Sequence, residues 1–380
     1  MAQVVASERS TRKLHKTVDV DRLKALAERV IPDRADPRIV QRIEQFFTSD
    51  VSRYLQEITV FEDRFAGEAL QDPELRGVFA DAGDRVIAEG ERVVADLDKQ
   101  TTKRVKEAFR EAIRPWTAGN PSIERFLKKP RGYAGDFAMM DMGYDNQPAL
   151  TGGLAGVFDR YFLDHFECVR QRKDKLRETI RQYLYDPTRR GSPLQMLSLG
   201  SGPCREWVEL DRQYRLTPTE RAKLNRTRLT GIDKDPEALA YGRSRLEGNS
   251  LLSSVELAEQ DLFQFTKAER WRSREQSYDL IYGLGIANYF YDATLENIIA
   301  CAFTLVKPGG ELMITHKDSR TFNFPVAEWV CDWVFLKRSA EEFSHLFEEA
   351  LSPFGGQYAY RLEPVPNGEI FYGIAKRIAA

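Results

Sequence analysis

The chain has 380 residues, more than a single domain usually holds, so we expect one large domain with a substantial extension or two domains. Its 56 lysines and arginines nearly balance its 58 aspartates and glutamates, and no long block of one sign occurs, which disfavours nucleic acid and membrane surfaces as partners. The widely separated cysteines match neither a zinc site nor a disulfide framework, so no metal is expected: Cys168, Cys204, Cys301 and Cys331.

The N-terminal residues carry no regular apolar pattern. We predict a flexible tail over residues 1–19, because MAQVVASERSTRKLHKTVDV is polar and lacks the apolar core of a signal peptide. No later stretch approaches the ~20 apolar residues that a membrane span needs. These features predict a cytoplasmic protein that does not insert into a membrane.

Residues 20–150 are predicted to form a helical domain. In RVIAEGERVVADLDKQTTKRVKEAFREAI, apolar residues recur at spacings of three and four, as on one face of a helix. Such a region is suited to act as a cap or as the surface of a homodimer without carrying any chemistry.

Within this region, residues 128–146 are predicted to form an active-site loop. The segment KKPRGYAGDFAMMDMGYDN is dense in glycine, aromatic residues and unpaired charges. Tyr133 and Asp136 are poor core material, so we expect them in the active site, closing over a ligand. The structural alternative is that Asp136 caps a helix while Tyr133 packs a turn.

A second helical stretch, from about Gly153 to Tyr185, opens the domain predicted over residues 151–380. It carries Arg170 and Arg172 on a charged run, for which a solvated face is the default explanation. An arginine can also anchor a carboxylate by paired hydrogen bonds. We assign Arg172 to a cofactor and Arg170 to a substrate as candidates.

From Pro193 onward, strands alternate with helices. Strands are predicted at LQMLSLG, LTGID, SSVELAEQD, YDLIYG and ELMITHK, with a closing antiparallel pair at GGQYAYRLEP and EIFYGIAKR. This order predicts an α/β fold with a doubly wound, mostly parallel seven-stranded sheet, preceded by the all-helical N-terminal domain.

The first strand ends in a short loop that contains Gly200, Ser201 and Gly202. Glycines at the end of an apolar strand indicate that a ligand approaches the backbone, and ligands of such sheets bind outside the carboxyl ends of the strands. The second strand ends in Asp233, where a carboxylate can accept hydrogen bonds from two ribose hydroxyls. A ligand with a nucleoside is therefore expected.

Two further positions narrow the kind of nucleoside ligand. Arg205 stands where a dinucleotide-binding loop would have its third glycine, which disfavours a pyrophosphate. The third strand ends in Asp261, suited to hold an adenine amino group or to cap the next helix. An adenosine without a pyrophosphate fits S-adenosylmethionine. Neighbouring residues complete the candidate cofactor site: Lys234, Leu262 and Gly283.

Five motifs in order resemble those of class I S-adenosylmethionine-dependent methyltransferases: LSLGSGPC, LTGIDKDP, EQDLF, YDLIYGLG and LVKPGGELMI. The resemblance covers roughly residues 193 to 376 and implies a Rossmann-like methyltransferase fold. Ser198 stands where many members have an acid before the loop, and Cys204 where many have glycine. Contacts to the methionine amine of the cofactor would then be supplied differently.

Flanking segments resemble a narrower bacterial family, whose members make 3-hydroxy fatty acid methyl esters: KPRGYAGDFAMMDMGY, CVRQRKDKL, GIANYFYDAT and VAEWVCDWVFLKRSAEEF. This resemblance implies methylation of the carboxylate of a hydroxy fatty acid, with Asn288 and Tyr289 near the acceptor. In that family an acid typically precedes the tyrosine, whereas this chain has Asn288. Methylation of an amino acid at nitrogen or sulfur, as in methionine S-methylation, is therefore an alternative.

Methyl transfer from a sulfonium is an in-line displacement. A carboxylate or thioether acceptor needs no general base and depends on positioning, whereas an amine or hydroxyl acceptor would demand a base. The candidate catalytic residues are Tyr133, Asp136 and His316, which follows the fifth strand. The aromatic stretch from Phe322 to Phe335 is suited to line a fatty-acid channel, while acids and arginines for an amino acid are also present.

A hypothesis of another class is a non-catalytic S-adenosylmethionine sensor. In that case the fold binds the cofactor without turnover, and the helical N-terminal region transmits the signal. Cofactor binding without any methylated product would distinguish the sensor from an enzyme.

Overall fold

The structure, a computed structural model, describes residues 16–65, 72–150, 153–186, 193–214, 216–247, 254–267 and 269–378. Most of the tail predicted at 1–19 lies outside these residues. Two compact units are found, one formed by Met1–Asn120 with Leu150–Asp159 and the other by Pro121–Ala149 with Arg160–Ala380. The segment 128–146 thus belongs to the second unit.

The described residues of the first unit form helices and their connections. The helices are α1 (Val20–Val30), α2 (Pro37–Gln45), α3 (Ser52–Phe65), α4 (Pro73–Val94) and α5 (Lys99–Thr117), with a π-helical turn at Phe46–Val51 and the first part of α8 (Gly153–His165). Four of these helices begin at an aspartate whose side chain accepts hydrogen bonds from the first turn: Asp19, Asp36, Asp72 and Asp98.

The core of the first unit is aromatic. Phe46 packs edge-on against Phe47 and stacks on Phe109, and all three rings are fully buried. These rings come from the π-helical turn and from α5, whose apolar residues recur at helical spacing. Burial of each ring contributes roughly 1.5–3 kcal/mol to folding.

The second unit is built on a mixed seven-stranded sheet. Its strands are β1 (Gln195–Leu199), β2 (Arg228–Asp233), β3 (Ser254–Glu259), β4 (Tyr278–Gly283), β5 (Val306–Lys317), β6 (Tyr358–Pro364) and β7 (Ile370–Arg377), in the order β3-β2-β1-β4-β5-β7-β6. Strands β1 to β5 pair in parallel, and β7 pairs antiparallel with both β5 and β6. The predicted seven-stranded, mostly parallel sheet with its antiparallel C-terminal pair is confirmed.

The described part of the second unit also contains helices. They are α6 (Pro121–Lys128), α7 (Phe137–Asp145), α9 (Glu167–Tyr185), α10 (Arg205–Tyr214), α11 (Pro218–Leu224), α12 (Pro236–Glu247), α13 (Leu262–Phe265), α14 (Asp292–Thr304), α15 (Phe324–Cys331) and α16 (Ala340–Leu351), together with the second part of α8. Helix α10 contacts α9 and α12, whereas α14 contacts α13 and α16. Among the described residues, no helix is both long and apolar enough to cross a membrane.

The order of the strands determines where a ligand can enter. The chain runs outward from β1 through β2 to β3, and then crosses back to β4 on the other side of β1. The loops after β1 and β4 therefore diverge and leave a crevice at the carboxyl ends of these strands. The central strands are almost fully buried, which makes this edge of the sheet a rigid support.

Candidate active site

A cavity of about 350 Å³ lies at the carboxyl ends of strands β1 to β5. Its walls include these residues that the sequence singled out: Tyr133, Arg172, Gly200, Ser201, Gly202, Asp233, Lys234, Asp261, Leu262 and Tyr289. Five other predicted site residues do not line it: Asp136, Arg170, Gly283, Asn288 and His316. The structure thus brings the candidate cofactor residues other than Gly283 together, while two of the three candidate catalytic residues, Asp136 and His316, lie elsewhere.

The loop after β1 requires glycine for its conformation. Gly200 and Gly202 have φ angles of +67° and +47°, in the left-handed region that other residues rarely adopt. A Cβ on Gly200 would also lie only 2.7 Å from Ile286. Cys204, at a position where the resembled family often has glycine, has a positive φ of 50° as well. The backbone of this loop is therefore open to a ligand.

Asp233 fixes this loop from the end of β2. One carboxylate oxygen accepts a hydrogen bond from the Gly202 N–H at 2.8 Å, and the other accepts from the Asp235 N–H at 3.0 Å. Burial raises the pKa of Asp233, and these two N–H donors act in the opposite direction. A carboxylate held in this way at a cavity wall is suited to accept hydrogen bonds from ribose hydroxyls.

Asp261 combines the two roles considered for it. Its side chain caps α13 by accepting a hydrogen bond from the Phe263 N–H at 2.8 Å, and it also lines the cavity. The N–H of the preceding Gln260 donates to the Asp233 carbonyl at 2.8 Å. The ends of β2 and β3 are thus joined, which places both aspartates on one wall.

Arg205 occupies the position at which a third glycine was missing. Its guanidinium donates to Asp141 at 2.7 Å and also binds Asp145, both on α7, as well as Glu209 on its own helix. These bonds tie α10 to α7. Helix α7 in turn supplies Met140 and Tyr144 to the cavity wall.

Tyr133 lies at the cavity between anchored neighbours. Arg131 forms an ion pair with Asp235 and another with Glu237 at 2.5 Å, and the Lys234 ammonium lies 4.6 Å from the Tyr133 ring. A Cβ on Gly135 would lie 2.3 Å from the Trp333 ring, so only glycine allows this approach. The connection between α6 and α7 is therefore held against the cavity from both sides.

Asp136 has the structural role that was raised as the alternative. It is fully buried and caps α7 by accepting a hydrogen bond from the Met139 N–H at 2.9 Å. Its carboxylate also pairs with Nε and Nη2 of Arg125, at 3.0 and 2.6 Å. The second half of the predicted loop 128–146 is this helix α7. Because its carboxylate is fully engaged away from the cavity, Asp136 is not placed to contact a substrate.

His316 points away from the cavity because side chains alternate along β5. Its Nδ1 donates to the Lys317 carbonyl at 2.6 Å, its Nε2 accepts from Arg338 at 3.2 Å, and its ring stacks on Phe371. Burial lowers the pKa of His316 to about 3. A buried, neutral imidazole on the opposite face cannot serve the cavity as a base.

Asn288 supports the site from behind. Its side-chain oxygen accepts from the Lys317 N–H at 3.2 Å, and its nitrogen donates to the Leu336 carbonyl at 3.2 Å. Asn288 is almost fully buried and does not reach the cavity. Its neighbour Tyr289 does line the cavity, with a hydroxyl that accepts from the Trp333 indole at 2.8 Å.

Arg170 and Gly283 also have structural explanations. Arg170 donates to Glu167 at 3.0 Å and to the Gly143 carbonyl at 3.0 Å. A Cβ on Gly283 would lie 2.6 Å from Ile286. Gly283 therefore permits the close packing of the loop that follows β4.

Arg172 is a buried cation at the cavity wall. It is 3% exposed, the one hydrogen bond of its side chain within the described residues is a long contact of 3.4 Å to the Tyr144 hydroxyl, and its Nε has no partner there. None of the described carboxylates pairs with it. Gly285, with φ of +78°, packs so tightly that a Cβ would lie 2.5 Å from the guanidinium. An anionic ligand would compensate a buried charge of this kind.

Lys317, which was not predicted, is a second buried cation. It is 7% exposed, and its ammonium lies 3.5 Å from the centroid of the Phe322 ring. Burial lowers its pKa to about 8, and no ion pair to Lys317 occurs in the described part of the chain. Since His316 faces away, strict alternation along β5 would have pointed to Lys317.

Glu206 is a second functional candidate that the sequence did not reveal. It is the second residue of α10, is 5% exposed and lines the cavity. The Tyr282 hydroxyl donates to it at 2.6 Å and accepts from the Trp207 indole at 2.7 Å. Burial raises the pKa of Glu206.

A small apolar pocket of about 30 Å³ adjoins the cavity at Lys317. The two spaces share Val169, Lys317, Trp333 and Phe335 as walls. The pocket is otherwise lined by these aromatic and apolar residues, among others: Phe126, Phe162, Phe166, Phe322, Val326 and Ala327. The aromatic stretch from Phe322 to Phe335 thus lies beside the buried ammonium.

The residues at the cavity fit S-adenosylmethionine. The glycine loop and the two strand-end aspartates match its adenosine, and the unpartnered Arg172 Nε lies where an anion would satisfy it. When bound, this cofactor supplies an electrophilic methyl group on a positively charged sulfur.

A family model described as a methyltransferase domain matches residues 197–310. No curated protein matches the chain. Among solved structures, a protein from Bordetella parapertussis described as a possible exported protein is 19% identical, covering 64% of this chain and 80% of that one with a TM-score of 0.47.

Two methyltransferases show weaker likeness. Magnesium protoporphyrin IX methyltransferase from Synechocystis PCC 6803 with bound SAH is 11% identical, covering 56% of this chain and 86% of that one with a TM-score of 0.39. The Burkholderia thailandensis 1,6-didemethyltoxoflavin-N1-methyltransferase is 15% identical, covering 53% and 78% with a TM-score of 0.35. Likenesses this low carry no information about the acceptor of this chain. The family match and the cavity agree: the chain is an enzyme with a methyltransferase domain, and its cofactor is S-adenosylmethionine.

Proposed function

We propose that the enzyme methylates the carboxylate of a small acceptor with an apolar body, for which a hydroxy fatty acid is the best candidate. The observation that carries this proposal is the position of Lys317. Its ammonium is buried, has no carboxylate partner among the described residues, and lies in the wall shared by the cavity and the apolar pocket. A cation next to an apolar space matches an acid with an apolar chain.

Two buried cations without a carboxylate partner among the described residues, Arg172 and Lys317, line the cavity. They support the binding of a second carboxylate beside that of the cofactor. The cofactor brings one carboxylate, on its methionine moiety, and Arg172 is available for it. Lys317 then remains without an anion. A carboxylate acceptor supplies that anion and offsets the cost of burying the ammonium.

The acids of the cavity favour an acceptor without an ammonium group. Three acids occur among the described lining residues: Glu206, Asp233 and Asp261. Asp233 and Asp261 lie at the strand ends that match the adenosine, which leaves Glu206. An amino-acid acceptor and the methionine amine of the cofactor would compete for this one carboxylate, whereas a fatty acid carries no amine.

The residues of the chain act on this reaction by positioning. A carboxylate needs no base, because its lone pairs are available at neutral pH. Lys317 can hold one carboxylate oxygen while the other faces the methyl group, and orientation of this kind contributes up to ~7–11 kcal/mol to lowering a barrier. Tyr133, Tyr289 and Trp333 line the cavity and would shield the reacting groups from water.

The apolar pocket limits how the acyl chain can lie. At about 30 Å³ it is too small for a long chain in the conformation seen. The chain must therefore extend along the larger cavity or displace rings such as Phe322. Acceptor preference among acids of graded length reports which of the two occurs.

Labelled S-adenosylmethionine tests the proposal. The protein is incubated with the methyl-labelled cofactor and, separately, with 3-hydroxy acids of graded length, unsubstituted fatty acids and the common amino acids. We expect a labelled methyl ester that releases labelled methanol in base. A labelled amino acid would overturn the proposal, and binding of the cofactor without any product would favour the sensor hypothesis.

A further inference from the structure

Glu206 is a buried carboxyl group without a counter-charge. In the described part of the chain no cation lies within ion-pairing distance of it. Lys173, the cation that acts on it most strongly, donates instead to Glu209, one helical turn further along α10. Burying an unpaired carboxyl group is costly, so its place at the cavity wall requires a reason.

The surroundings hold Glu206 in one orientation. Tyr282 at the end of β4 donates to its Oε1 at 2.6 Å, and the indole of Trp207 donates to the Tyr282 hydroxyl at 2.7 Å. Ser198 on β1 also lines the cavity and acts on the Tyr282 hydroxyl. The resembled family often has an acid at the position of Ser198. Here Glu206 of α10 provides a carboxylate instead, and the Tyr282 hydroxyl links it to Ser198.

Arg172 and Glu206 are the complementary charges of this part of the cavity. Arg172 contacts the Tyr144 hydroxyl at 3.4 Å, and both Arg172 and Glu206 perturb the pKa of Tyr144. The two side chains do not pair with each other, although both are buried in one cavity. A fixed cation and a fixed anion separated in this way match a zwitterion, whose carboxylate and ammonium need opposite partners.

We propose that Glu206 accepts hydrogen bonds from the α-ammonium of the cofactor's methionine moiety, while Arg172 binds its α-carboxylate. Glu206 thereby supplies the carboxylate that Ser198 lacks. The assignment concerns the cofactor alone, so it holds whichever acceptor the enzyme methylates, and an experiment without acceptor tests it.

Calorimetry with two ligands isolates this contact. The dissociation constants of S-adenosylhomocysteine and of its analogue without the α-amino group are measured for the wild type and for Glu206→Gln. We expect the substitution to raise the dissociation constant of S-adenosylhomocysteine by about 10- to 100-fold, because a charge-assisted hydrogen bond is lost. The dissociation constant of the analogue should change by less than about twofold. Because a variant with a damaged fold would lose both ligands, the analogue serves as an internal control.

Glu209→Gln is the matched control on the same helix. Glu209 binds Lys173, Arg177 and Arg205 and does not line the cavity, so the ratio of the two dissociation constants should equal that of the wild type even if both ligands weaken together. An unchanged ratio in Glu206→Gln would overturn the assignment. That result would mean that backbone groups hold the cofactor amine or that Glu206 serves an acceptor instead.

Discussion

Lys317 and His316 are consecutive residues of β5, and only Lys317 reaches the cavity. Thr315, on the same face as Lys317, accepts a hydrogen bond from the Gly285 N–H at 2.9 Å and so supports the loop that contacts Arg172. His316 faces Phe343 and Phe371 on the other side. The pleat of one strand therefore separates a residue suited to bind an anion from one that packs the core.

Replacing Lys317 by methionine should raise the KM of the carboxylate acceptor by about 10- to 100-fold, because a charge-assisted hydrogen bond is lost while the apolar stem is kept. The affinity for S-adenosylhomocysteine, measured by calorimetry, should change by less than about threefold. Lys337→Met, which removes a cation outside the cavity, is the control. An unchanged acceptor KM in Lys317→Met would contradict the proposed carboxylate site.

The pH profile should also report Lys317. Its pKa is about 8 in the free enzyme, and only the protonated form attracts a carboxylate. We therefore expect kcat/KM for the acceptor to fall as the pH rises through about 8, and this limb should be absent in Lys317→Arg, whose side chain stays charged. A flat wild-type profile between pH 7 and about 9.5 would argue against this role.

His316→Gln should change stability without changing the pH profile of methyl transfer. Burial lowers the pKa of His316 to about 3 from its ordinary value near 6.5, so only the unfolded chain binds this proton between the two values. Its contribution to stability is fully present above about pH 6.5 and is lost, by up to about 1.4 kcal/mol per unit, as the pH falls towards 3.

Denaturant unfolding at several pH values checks this, because the difference in unfolding free energy between wild type and His316→Gln should shrink below pH 6.5. Loss of an acidic limb, the fall in rate at low pH that protonation of a base produces, from the methyl-transfer profile of the variant would show that His316 acts as a base after all.

Gly285→Ala should remove much of the affinity for the cofactor. The new methyl group would lie 2.5 Å from the Arg172 guanidinium, and the residue has φ of +78°. Gly368→Ala is the matched control, since Gly368 has φ of +75° but nothing within 4 Å of a Cβ. Both variants should lose about 1–3 kcal/mol of stability from backbone strain, while only Gly285→Ala should weaken S-adenosylhomocysteine, by about tenfold or more. Equal affinity of both variants for S-adenosylhomocysteine would show that Arg172 does not bind the cofactor.

Gly135→Ala tests the connection between α6 and α7. A methyl group there would lie 2.3 Å from the Trp333 ring and 2.9 Å from the Tyr289 hydroxyl, so the Tyr133 segment or Trp333 must move. We expect kcat/KM for the acceptor to fall by at least about tenfold, since a displacement of about 1 Å can cost that much. Gly77→Ala, where a Cβ meets no atom within 4 Å, should have no such effect. Wild-type activity of Gly135→Ala would separate this segment from the reaction.

The parts of the fold and site that depend on local rules were accessible from the sequence. The alternating pattern predicted the seven strands, and glycines at a strand end with an acid at the next strand end pointed to the cavity that Gly200, Gly202 and Asp233 line. These features follow from backbone geometry and from the periods of helix and strand.

What the sequence did not reveal depends on contacts between distant segments. Glu206 was not predicted as a site residue, because its position at the cavity depends on a contact with Tyr282, 76 residues further along the chain. Asp136 was expected in the active site, with helix capping as the alternative, because its ion pair with Arg125 is a contact that the local pattern does not reveal. Lys317 could have been predicted from the alternation of side chains along β5, whereas the prediction named its neighbour His316.

The chemical form of the product decides whether the enzyme methylates a carboxylate. The protein is incubated with methyl-labelled S-adenosylmethionine and 3-hydroxy fatty acids, and the labelled product is treated with base and identified by mass. We expect the wild type to form a methyl ester that releases its label as methanol. The amount of this ester should be strongly reduced in Lys317→Met. A label that is stable to base, on nitrogen, on sulfur or on the hydroxyl oxygen, would contradict it.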